Sequence, residues 1–468
     1  MDLSTLVELA YLASAVLFVV GLKRMQSPAT ARAGNGLAAL AMLIAIAATL
    51  IDNEVVSWAG ILIGIAVGGG IGAVAARTVK MTAMPEMVGV FNAFGGGASA
   101  LVAAAEYVRL HALGLDPDAA TGVTIALSLL IGTVTFSGSV VAFGKLSGRV
   151  SGNPITFPGQ KPFNALLFAA ILLAGAGVAG LVAAPGGLTA TSLLLLFSGL
   201  ALLLGILLVI PIGGADMPVV ISLLNSYSGL AASAAGFVIG NMVLIISGAL
   251  VGAAGLFLTM LMCKAMNRSL ANVVFGAFGQ SGATAALASG EKKPVRSVDA
   301  EQAALVMAYA QSVIVVPGYG LAVAQAQHEL KKVMDLLIER GVDVRYAIHP
   351  VAGRMPGHMN VLLAEADVPY DQLFDLDEIN GDFGSTDVVL IVGANDVVNP
   401  EARNPDSVIA GMPILDVDRA RNVIVVKRSL SPGFAGIDNP LFYMDHTMMF
   451  FADAKKAMAD VVREVRDT

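Results

Sequence analysis

Long apolar stretches dominate the first part of the chain. A membrane-spanning helix needs about 20 predominantly apolar residues. Candidate stretches cover residues 4–21, 34–51, 56–76, 85–107, 121–143, 163–184, 189–211, 218–238 and 241–262. This pattern predicts nine transmembrane helices, and only Gly240 and Asn241 separate the last two.

The pattern changes after about Glu291, where short apolar runs alternate with amphipathic stretches. That alternation is typical of a soluble α/β domain. The predicted organisation is a transmembrane domain over 1–263, a linker over 264–300, and a soluble domain over 301–468.

Charged residues in the breaks between spans predict the orientation of the chain, since basic residues favour the cytoplasmic side. On one side lie Lys23, Arg24, Arg32, Arg77, Lys80, Lys145, Arg149, Lys161, Lys264, Arg268, Lys292, Lys293 and Arg296. On the other lie Asp52, Glu54, Asp116 and Asp118, with Arg109 as the only basic residue. We therefore expect the N-terminus outside and the soluble domain in the cytoplasm.

Composition supports a membrane protein, because 56% of the residues are hydrophobic and only 13% are charged, against about a quarter charged in soluble domains. The net charge is −7 and no basic run indicates nucleic acid. Cys263 is the only cysteine, so an internal disulfide and a CxxC metal site are excluded. Acidic Asp2 and Glu8 come before the first basic residues, which is the opposite of a cleavable signal peptide.

Polar residues within or beside the spans are candidates for a proton path, since polar groups are costly in hydrocarbon. The candidates are Asn92, Glu86, Asp216, Asn225, Ser226 and Ser228. A structural interpretation stays open for each: interhelical hydrogen bonds for the amides, a helix dipole for Glu86, and a helix cap for Asp216. Glycine-rich stretches at 64–72 and 95–97 predict close helix packing.

A glycine turn opens the soluble domain. The apolar run 311–317 predicts a strand, Gly318-Tyr319-Gly320-Leu321-Ala322-Val323 follows, and an amphipathic pattern from Ala324 to Arg340 predicts a helix before a strand at 344–348. A G-x-G-x-x-G/A motif in this setting is typical of a Rossmann-like dinucleotide-binding fold with a parallel sheet. Free amides at the helix start would hold a pyrophosphate, and Val323 in place of the third glycine would alter helix–strand packing. The alternative is an ordinary tight turn.

Two more predicted strands, 387–392 and 422–426, end in candidate binding residues. The first is followed by Gly393, Asn395 and Asp396, and the second by Lys427, Arg428 and Ser429. Because ligands bind at the carboxyl ends of such strands, we expect these residues to converge. A turn residue at Asp396 and a solvated strand end at Lys427 remain alternatives.

The second strand of the soluble domain bears on which dinucleotide is bound. An NAD site usually has a carboxylate that closes this strand, whereas Asp343 opens it and His349-Pro350 follow it. Val351, Ala352 and Gly353 then lead to Arg354, a candidate pyrophosphate ligand or a surface arginine. The cations Lys427 and Arg428 suit the 2′-phosphate of NADP(H).

Candidate acid–base residues are sparse. His111, the only histidine before the soluble domain, falls in a predicted external loop, and no catalytic dyad stands out around His328, His349, His358 or His446. Hydride transfer between two nicotinamides needs alignment rather than an acid or base, and therefore fits better than an alcohol dehydrogenase.

Together these motifs resemble the β subunit of proton-translocating NAD(P)+ transhydrogenase over essentially the whole chain. The membrane motifs are Met84-Pro85-Glu86-Met87, Gly213-Gly214-Ala215-Asp216-Met217-Pro218, Leu224-Asn225-Ser226-Tyr227-Ser228-Gly229 and Met262-Cys263-Lys264-Ala265-Met266-Asn267-Arg268-Ser269. The soluble motifs are Val316-Pro317-Gly318-Tyr319-Gly320, Gly353-Arg354-Met355-Pro356-Gly357-His358-Met359-Asn360, Gly393-Ala394-Asn395-Asp396 and Lys427-Arg428-Ser429.

The resemblance implies an enzyme that couples hydride transfer from NADH to NADP+ with inward proton flow across a bacterial inner membrane. This chain would bind NADP(H) in a reversed orientation, whereas α subunits would carry the NAD(H) domain and the remaining helices, in a dimer of αβ units. Lys427, Arg428 and Ser429 would contact the 2′-phosphate, and Tyr319 and Arg354 the pyrophosphate. Asp396 would lie near the nicotinamide, under a lid at 433–441.

Two positions depart from the family pattern. Some members have a histidine, held to be the proton group, where Asn92 stands, and an asparagine cannot titrate. A histidine on a partner subunit then becomes the candidate proton carrier. Phe434 replaces a common lid tyrosine, so a hydroxyl role there is lost.

Two other functions remain open from the sequence: a membrane-anchored dehydrogenase, for which nine spans are excessive, and an NADP(H)-gated transporter without chemistry. For the transhydrogenase, coupling would run through 263–300. The hypothesis is that proton occupancy near Asn92 and Asn225 changes how tightly the lid holds NADP(H).

Overall fold

The chain folds into two units, residues 1–259 and 260–468. This computed structural model describes residues 3–52, 58–80, 83–115, 117–182, 188–267, 269–275, 294–355, 357–407, 409–433 and 435–468. Some sequence-based assignments lie outside the described residues: those for Asp2, Glu54, Asp116, Arg268, Lys292, Lys293 and Phe434, and most of the predicted linker.

Nine helices long and apolar enough to cross a membrane occur in the described part of the chain, which confirms the predicted number. They are α1 Leu3–Met25, α2 Pro28–Asp52, α3 Trp58–Thr78, α4 Met84–Ala112, α5 Ala119–Leu146, α6 Gln160–Val178, α7 Ala190–Val209, α8 Met217–Val238 and α9 Met242–Ala265. A short helix, α10 Leu270–Phe275, follows them.

Glycines let several of these helices approach closely, as the sequence predicts. A Cβ on Gly96 of α4 would lie 2.8 Å from the carbonyl oxygen of Gly132 on α5, and one on Gly229 of α8 would lie 2.8 Å from that of Gly248 on α9. The glycines of α3 between residues 64 and 72 differ, because a Cβ there would meet nothing within 4 Å in the described part of the chain. The close packing predicted for these glycines is therefore not found among the described residues.

The soluble unit is built around a parallel sheet. Its elements are β1 Arg296–Ser297, α11 Ala300–Ala308, β2 Ser312–Pro317, α12 Tyr319–Ala324, α13 Gln327–Glu339, β3 Asp343–Ile348, α14 His358–Glu365, β4 Leu373–Asp375, α15 Leu376–Ile379, β5 Val388–Val392, β6 Asn422–Lys427, β7 Thr447–Phe451 and α16 Ala454–Asp467. The sheet begins at Arg296, inside the region predicted as linker, because this residue pairs with Met448 of β7.

The seven-stranded sheet has the order β1-β7-β6-β5-β2-β3-β4, and its strand pairs are parallel. Apart from the edge strand β1, this is the Rossmann order, which changes direction between β2 and β5. Every residue of β5 is buried. The predicted Rossmann-like domain is confirmed, and its ligand-binding crevice is expected at the carboxyl ends of β2 and β5.

The helix after the glycine turn differs from the prediction. Instead of one helix from Ala324 to Arg340, α12 begins directly at Tyr319 and ends at Ala324. Gln325 then adopts a left-handed conformation, with φ of 50°, before α13 begins at Gln327. The hydrophobic pattern indicates which residues face the core, but it carries no information about the backbone conformation of one residue. The break at Gln325 could therefore not be predicted from it.

Candidate functional site

The glycine turns after β2 and β5 interlock at the centre of the sheet. The amide of Gly318 donates to Val392 and that of Gly320 to Gly393, both at 2.9 Å. A Cβ on Gly320 would lie 2.7 Å from the Cα of Gly393. These backbones touch because both turns lie where the strand order changes direction.

This interlock corrects the interpretation of Gly318 and Gly320 as free phosphate donors. Their amides already donate to carbonyls of the neighbouring strand end, and the amide of Leu321 donates to Gly318. Val323, which stands in place of the third glycine, has a side chain that is 47% exposed rather than packed between helix and strand. The amides of Gly318 and Gly320 are therefore already used within the fold.

Two candidate side chains lie beside the turn. The guanidinium of Arg354 stacks over the ring of Tyr319, with its central carbon 4.5 Å from the ring centroid. Arg354 belongs to the loop 349–354, which follows β3 and includes Val351, Ala352 and Gly353. The structure thus joins two residues assigned to the pyrophosphate, and leaves a cation and a phenol at the strand ends.

Buried His349 supports this loop. Its Nδ1 accepts a hydrogen bond from the amide of Val351 at 3.2 Å, so Nε2 carries the proton and donates to the carbonyl of Pro413 at 2.8 Å. Burial lowers the pKa of His349 to about 4, and the bond to Pro413 only partly opposes this shift. Sequence reasoning found no partner for this histidine, because Pro413 is far away along the chain.

The depressed pKa of His349 makes stability depend on pH. Below about pH 6.5 the unfolded chain binds a proton at His349, whereas the folded chain binds it only below about pH 4. The free energy of unfolding is therefore highest above about pH 6.5 and falls as the pH is lowered from there to about 4. The loss approaches about 3 kcal/mol.

Thermal unfolding of the soluble unit, followed by circular dichroism near pH 7 and near pH 4.5, measures this loss. His349→Gln should flatten the dependence, whereas His328→Gln, at an exposed position on α13, should keep it. An unchanged pH dependence in His349→Gln would show that another group is responsible.

Asp396 lies against the segment 433–441. Its Oδ2 accepts a hydrogen bond from the amide of Ala435 at 3.0 Å, and a Cβ on Gly433 would lie 2.7 Å from that oxygen. The segment is also anchored by Asn439, whose amide donates to the backbone and side-chain oxygens of Asn395. Asp396 is therefore more than a turn residue, since it ties the end of β5 to the segment predicted as a lid.

The three predicted residues at the end of β6 differ in their surroundings. Lys427 is half-buried, donates to the carbonyl of Ser431 at 2.8 Å, and lies 4.8 Å from the ring centroid of Phe442. Burial lowers the pKa of Lys427, while the carboxylates of Asp396 and Asp438 oppose this shift. Arg428 and Ser429 are exposed, and the hydroxyl of Ser429 lies 2.8 Å from that of Ser431.

One buried donor shows that the site suits a bound molecule. Nδ2 of Asn395 is buried and has no hydrogen-bond partner among the described residues, whereas its Oδ1 accepts from Asn439 at 3.1 Å. An unsatisfied buried amide is costly, and an acceptor oxygen from a ligand would satisfy it. Because cations, hydroxyls and this amide all lie at the carboxyl ends of strands in one parallel sheet, the residues fit a phosphorylated nucleotide.

In the membrane unit, Asn92 is the centre of a polar network. Its Nδ2 donates to the hydroxyl of Ser139 on α5 at 2.8 Å, and its Oδ1 accepts from the hydroxyl of Ser228 on α8 at 2.7 Å. Asn92 and Ser139 are buried. The predicted interhelical hydrogen bonds of Asn92 are confirmed, and Ser139 is a member that the sequence did not indicate, because serine is also common in ordinary helix packing.

The other predicted path residues lie apart from this network. Ser226 is buried and donates to the carbonyl of Gly252 on α9 at 2.5 Å. Asn225 is exposed on α8 and does not join Asn92, because neighbouring residues on a helix point in different directions. Glu86 lies half-buried in the first turn of α4, and Asp216 precedes α8 without making a capping hydrogen bond.

Comparison with known proteins agrees with this combination of units. A family model described as "NAD(P) transhydrogenase beta subunit" matches residues 7–464. A relative from Rhodospirillum rubrum, named NAD(P) transhydrogenase subunit beta, is 50% identical over 461 residues, which cover 97% of this chain and 98% of the relative. A relative of the same name from a defined strain of that species matches equally well.

Proposed function

Because the chain belongs to the NAD(P) transhydrogenase beta subunit family, we propose that its soluble domain binds NADP(H) and that its transmembrane helices carry protons. Hydride would pass from NADH, held by a partner α subunit, to NADP+ on this chain. Inward proton flow would drive the transfer. The N-terminus would lie outside a bacterial inner membrane and the soluble domain in the cytoplasm, in a dimer of αβ units.

The observation that carries the nucleotide proposal is the convergence of predicted binding residues at the carboxyl ends of β2, β3, β5 and β6. Arg354 on Tyr319 would hold the pyrophosphate. Lys427, Arg428 and Ser429 would hold the 2′-phosphate, since charge-assisted hydrogen bonds to phosphate are strong. Bound NADP+ supplies the hydride acceptor, and the residues of this chain bind and orient it.

Asp396 would act through the segment 433–441. Its carboxylate accepts the amide of Ala435, so a change in charge at Asp396 would loosen the segment over the nucleotide. Retention and release of NADP(H) would then follow the position of this lid. No acid or base on this chain is required for hydride transfer, because the two nicotinamides need only be aligned.

For the membrane unit, the proposed path includes the network of Asn92, Ser139 and Ser228. Glu86 precedes Asn92 on α4 by about 9 Å of helix rise, and Asp216 lies before the start of α8, which carries Ser228. Asn92 cannot titrate, so it would relay a proton through hydrogen bonds with water or with a partner subunit's histidine. Exposed Asn225 would face the partner helices, because a bare amide in lipid is costly.

The test of the proposed function uses vesicles that contain this chain together with an α subunit. We expect NADPH to form from NADH faster when a pH gradient drives protons inward. NADP+ binding without any hydride transfer would instead indicate a gated transporter. A rate of hydride transfer that does not change with the pH gradient would contradict the proposed coupling between hydride transfer and proton flow.

Asn225→Leu tests the membrane path in the same vesicles. Loss of the amide should lower proton pumping several-fold while NADP+ affinity of the detergent-solubilised chain stays unchanged, because Asn225 lies in the transmembrane unit and is not one of the proposed nucleotide-binding residues. Leu230→Ala is a matched control, since Leu230 is also exposed on α8 and is already apolar. Normal pumping by Asn225→Leu would remove Asn225 from the path.

A further inference from the structure

A buried histidine outside the predicted contact set holds the loop that presents Arg354. His358 is the first residue of α14 and is 2% exposed. Its Nδ1 lies 3.0 Å from the backbone nitrogen of Arg354, four positions earlier in the chain. Because a backbone N–H only donates, Nδ1 must be the acceptor, so the neutral ring carries its proton on Nε2.

The ring is enclosed by the same loop. Gly353 has a φ of 105°, and a Cβ on it would lie 2.5 Å from Nδ1 of His358. The amide of His358 donates to the carbonyl of Met355 at 3.2 Å, which closes the turn from the other direction. Only a glycine at 353 lets the imidazole reach the amide of Arg354.

The imidazole also lies beside the aromatic ring on which the guanidinium stacks. Its ring centroid lies 6.4 Å from that of Tyr319, which carries Arg354 on its face. Burial and the charge of Arg354 both lower the pKa of His358, which keeps the ring neutral and Nδ1 available as an acceptor. Nε2 has no hydrogen-bond partner in the described part of the chain, so Nδ1 makes the ring's hydrogen bond.

We propose that His358 is a positioning residue for nucleotide binding: by accepting the amide of Arg354, it holds the guanidinium on Tyr319, where a pyrophosphate would meet it. The expected change in nucleotide affinity rests on the proposed nucleotide site. The hydrogen bond that fixes the loop at Arg354 does not depend on that proposal. Without the acceptor, the partly buried amide of Arg354 loses its hydrogen bond to Nδ1, and the loop opens so that this amide can bond to water.

The test compares two substitutions in the full chain in detergent. His358→Leu removes the acceptor, and His358→Asn places an amide oxygen near the position of Nδ1. We expect His358→Leu to weaken NADP+ binding about tenfold by calorimetry. His358→Asn should restore affinity to near that of the native chain, and His328→Leu, on exposed α13 surface, should leave it unchanged.

A double-substitution cycle shows whether His358 acts through Arg354. If it does, adding His358→Leu to Arg354→Ala should cause little further loss of NADP+ affinity, because the guanidinium that it positions is already absent. A further tenfold loss would overturn the proposal. Equal weakening by His358→Leu and His358→Asn would overturn it as well.

Hydrogen exchange separates this inference from the nucleotide proposal. The amide of Arg354 should exchange about tenfold faster in His358→Leu than in the native chain or in His358→Asn, with no nucleotide present. Unchanged exchange would refute the positioning role. If the amide of Arg354 exchanges faster in His358→Leu as expected, but the native chain does not bind NADP+, the proposed nucleotide site is refuted and the positioning role is not.

Discussion

Replacing Arg428 with alanine is expected to weaken NADP+ binding about tenfold to a hundredfold and to leave the weaker binding of NAD+ unchanged, because charge-assisted hydrogen bonds contribute about 1.5–3 kcal/mol. The two nucleotides differ by the 2′-phosphate, which Arg428 would bind. Arg428 is exposed at the carboxyl end of β6, so its loss should not disturb the sheet. Calorimetry on the full chain in detergent gives both dissociation constants.

Arg421→Ala is the matched control for this experiment. Arg421 is equally an exposed arginine next to β6, but it lies at the opposite end of the strand, where it pairs with Asp387 at 2.8 Å. The Arg421→Ala chain should bind both nucleotides with native affinity. Equal losses of NADP+ and NAD+ affinity in Arg428→Ala would mean that Arg428 recognises a part common to both. Lys427 is less suitable, because its ammonium also binds Ser431 within the fold.

Gly393→Ala is expected to destabilise the soluble unit by about 2–5 kcal/mol, since it combines left-handed backbone strain with overpacking. Gly393 has a φ of 71°, and a Cβ on it would lie 2.6 Å from the carbonyl carbon of Gly320. The hydrogen bond between the amide of Gly320 and the carbonyl of Gly393 holds the two backbones together at this point. The unfolding temperature should fall by about 10 °C.

Thermal unfolding followed by circular dichroism measures this effect, and Gly384→Ala is the matched control. Gly384 lies in a one-turn helix, Phe383–Ser385, and a Cβ there would meet nothing within 4 Å. Its substitution should change the unfolding temperature by no more than about 2 °C. A Gly393→Ala chain that melts like the control would show that the two turns can separate without cost.

The transmembrane helices could be predicted because the bilayer acts on each segment locally. Length and apolarity decide whether a segment spans, and both can be read from the chain. Each of the nine predicted spans therefore overlaps a helix, as 218–238 overlaps Met217–Val238. The three strand ends that carry Gly318, Gly393 and Lys427 were predictable for a related reason, since a buried parallel strand is an apolar run with a polar or glycine end.

Contacts between distant residues were decided only by the tertiary structure. Asn92 meets Ser139 and Ser228 because three helices pack together, whereas Asn225 turns to the surface although its neighbour Ser226 is buried. The amides of Gly318 and Gly320 looked free in the sequence, and the strand order brings β5 carbonyls to them.

Amino-acid sequence alone thus determined which segments enter the bilayer, which fold into a parallel sheet, and which strand ends bear cations and glycines. Local hydrophobicity and backbone preference depend on a few neighbouring residues, so they can be inferred from the sequence without knowledge of the tertiary structure. Tertiary structure decided which polar groups face one another, which amides are already bonded, and which side chains such as Val323 reach solvent. These depend on helix rotation and strand order, which no short stretch of chain encodes.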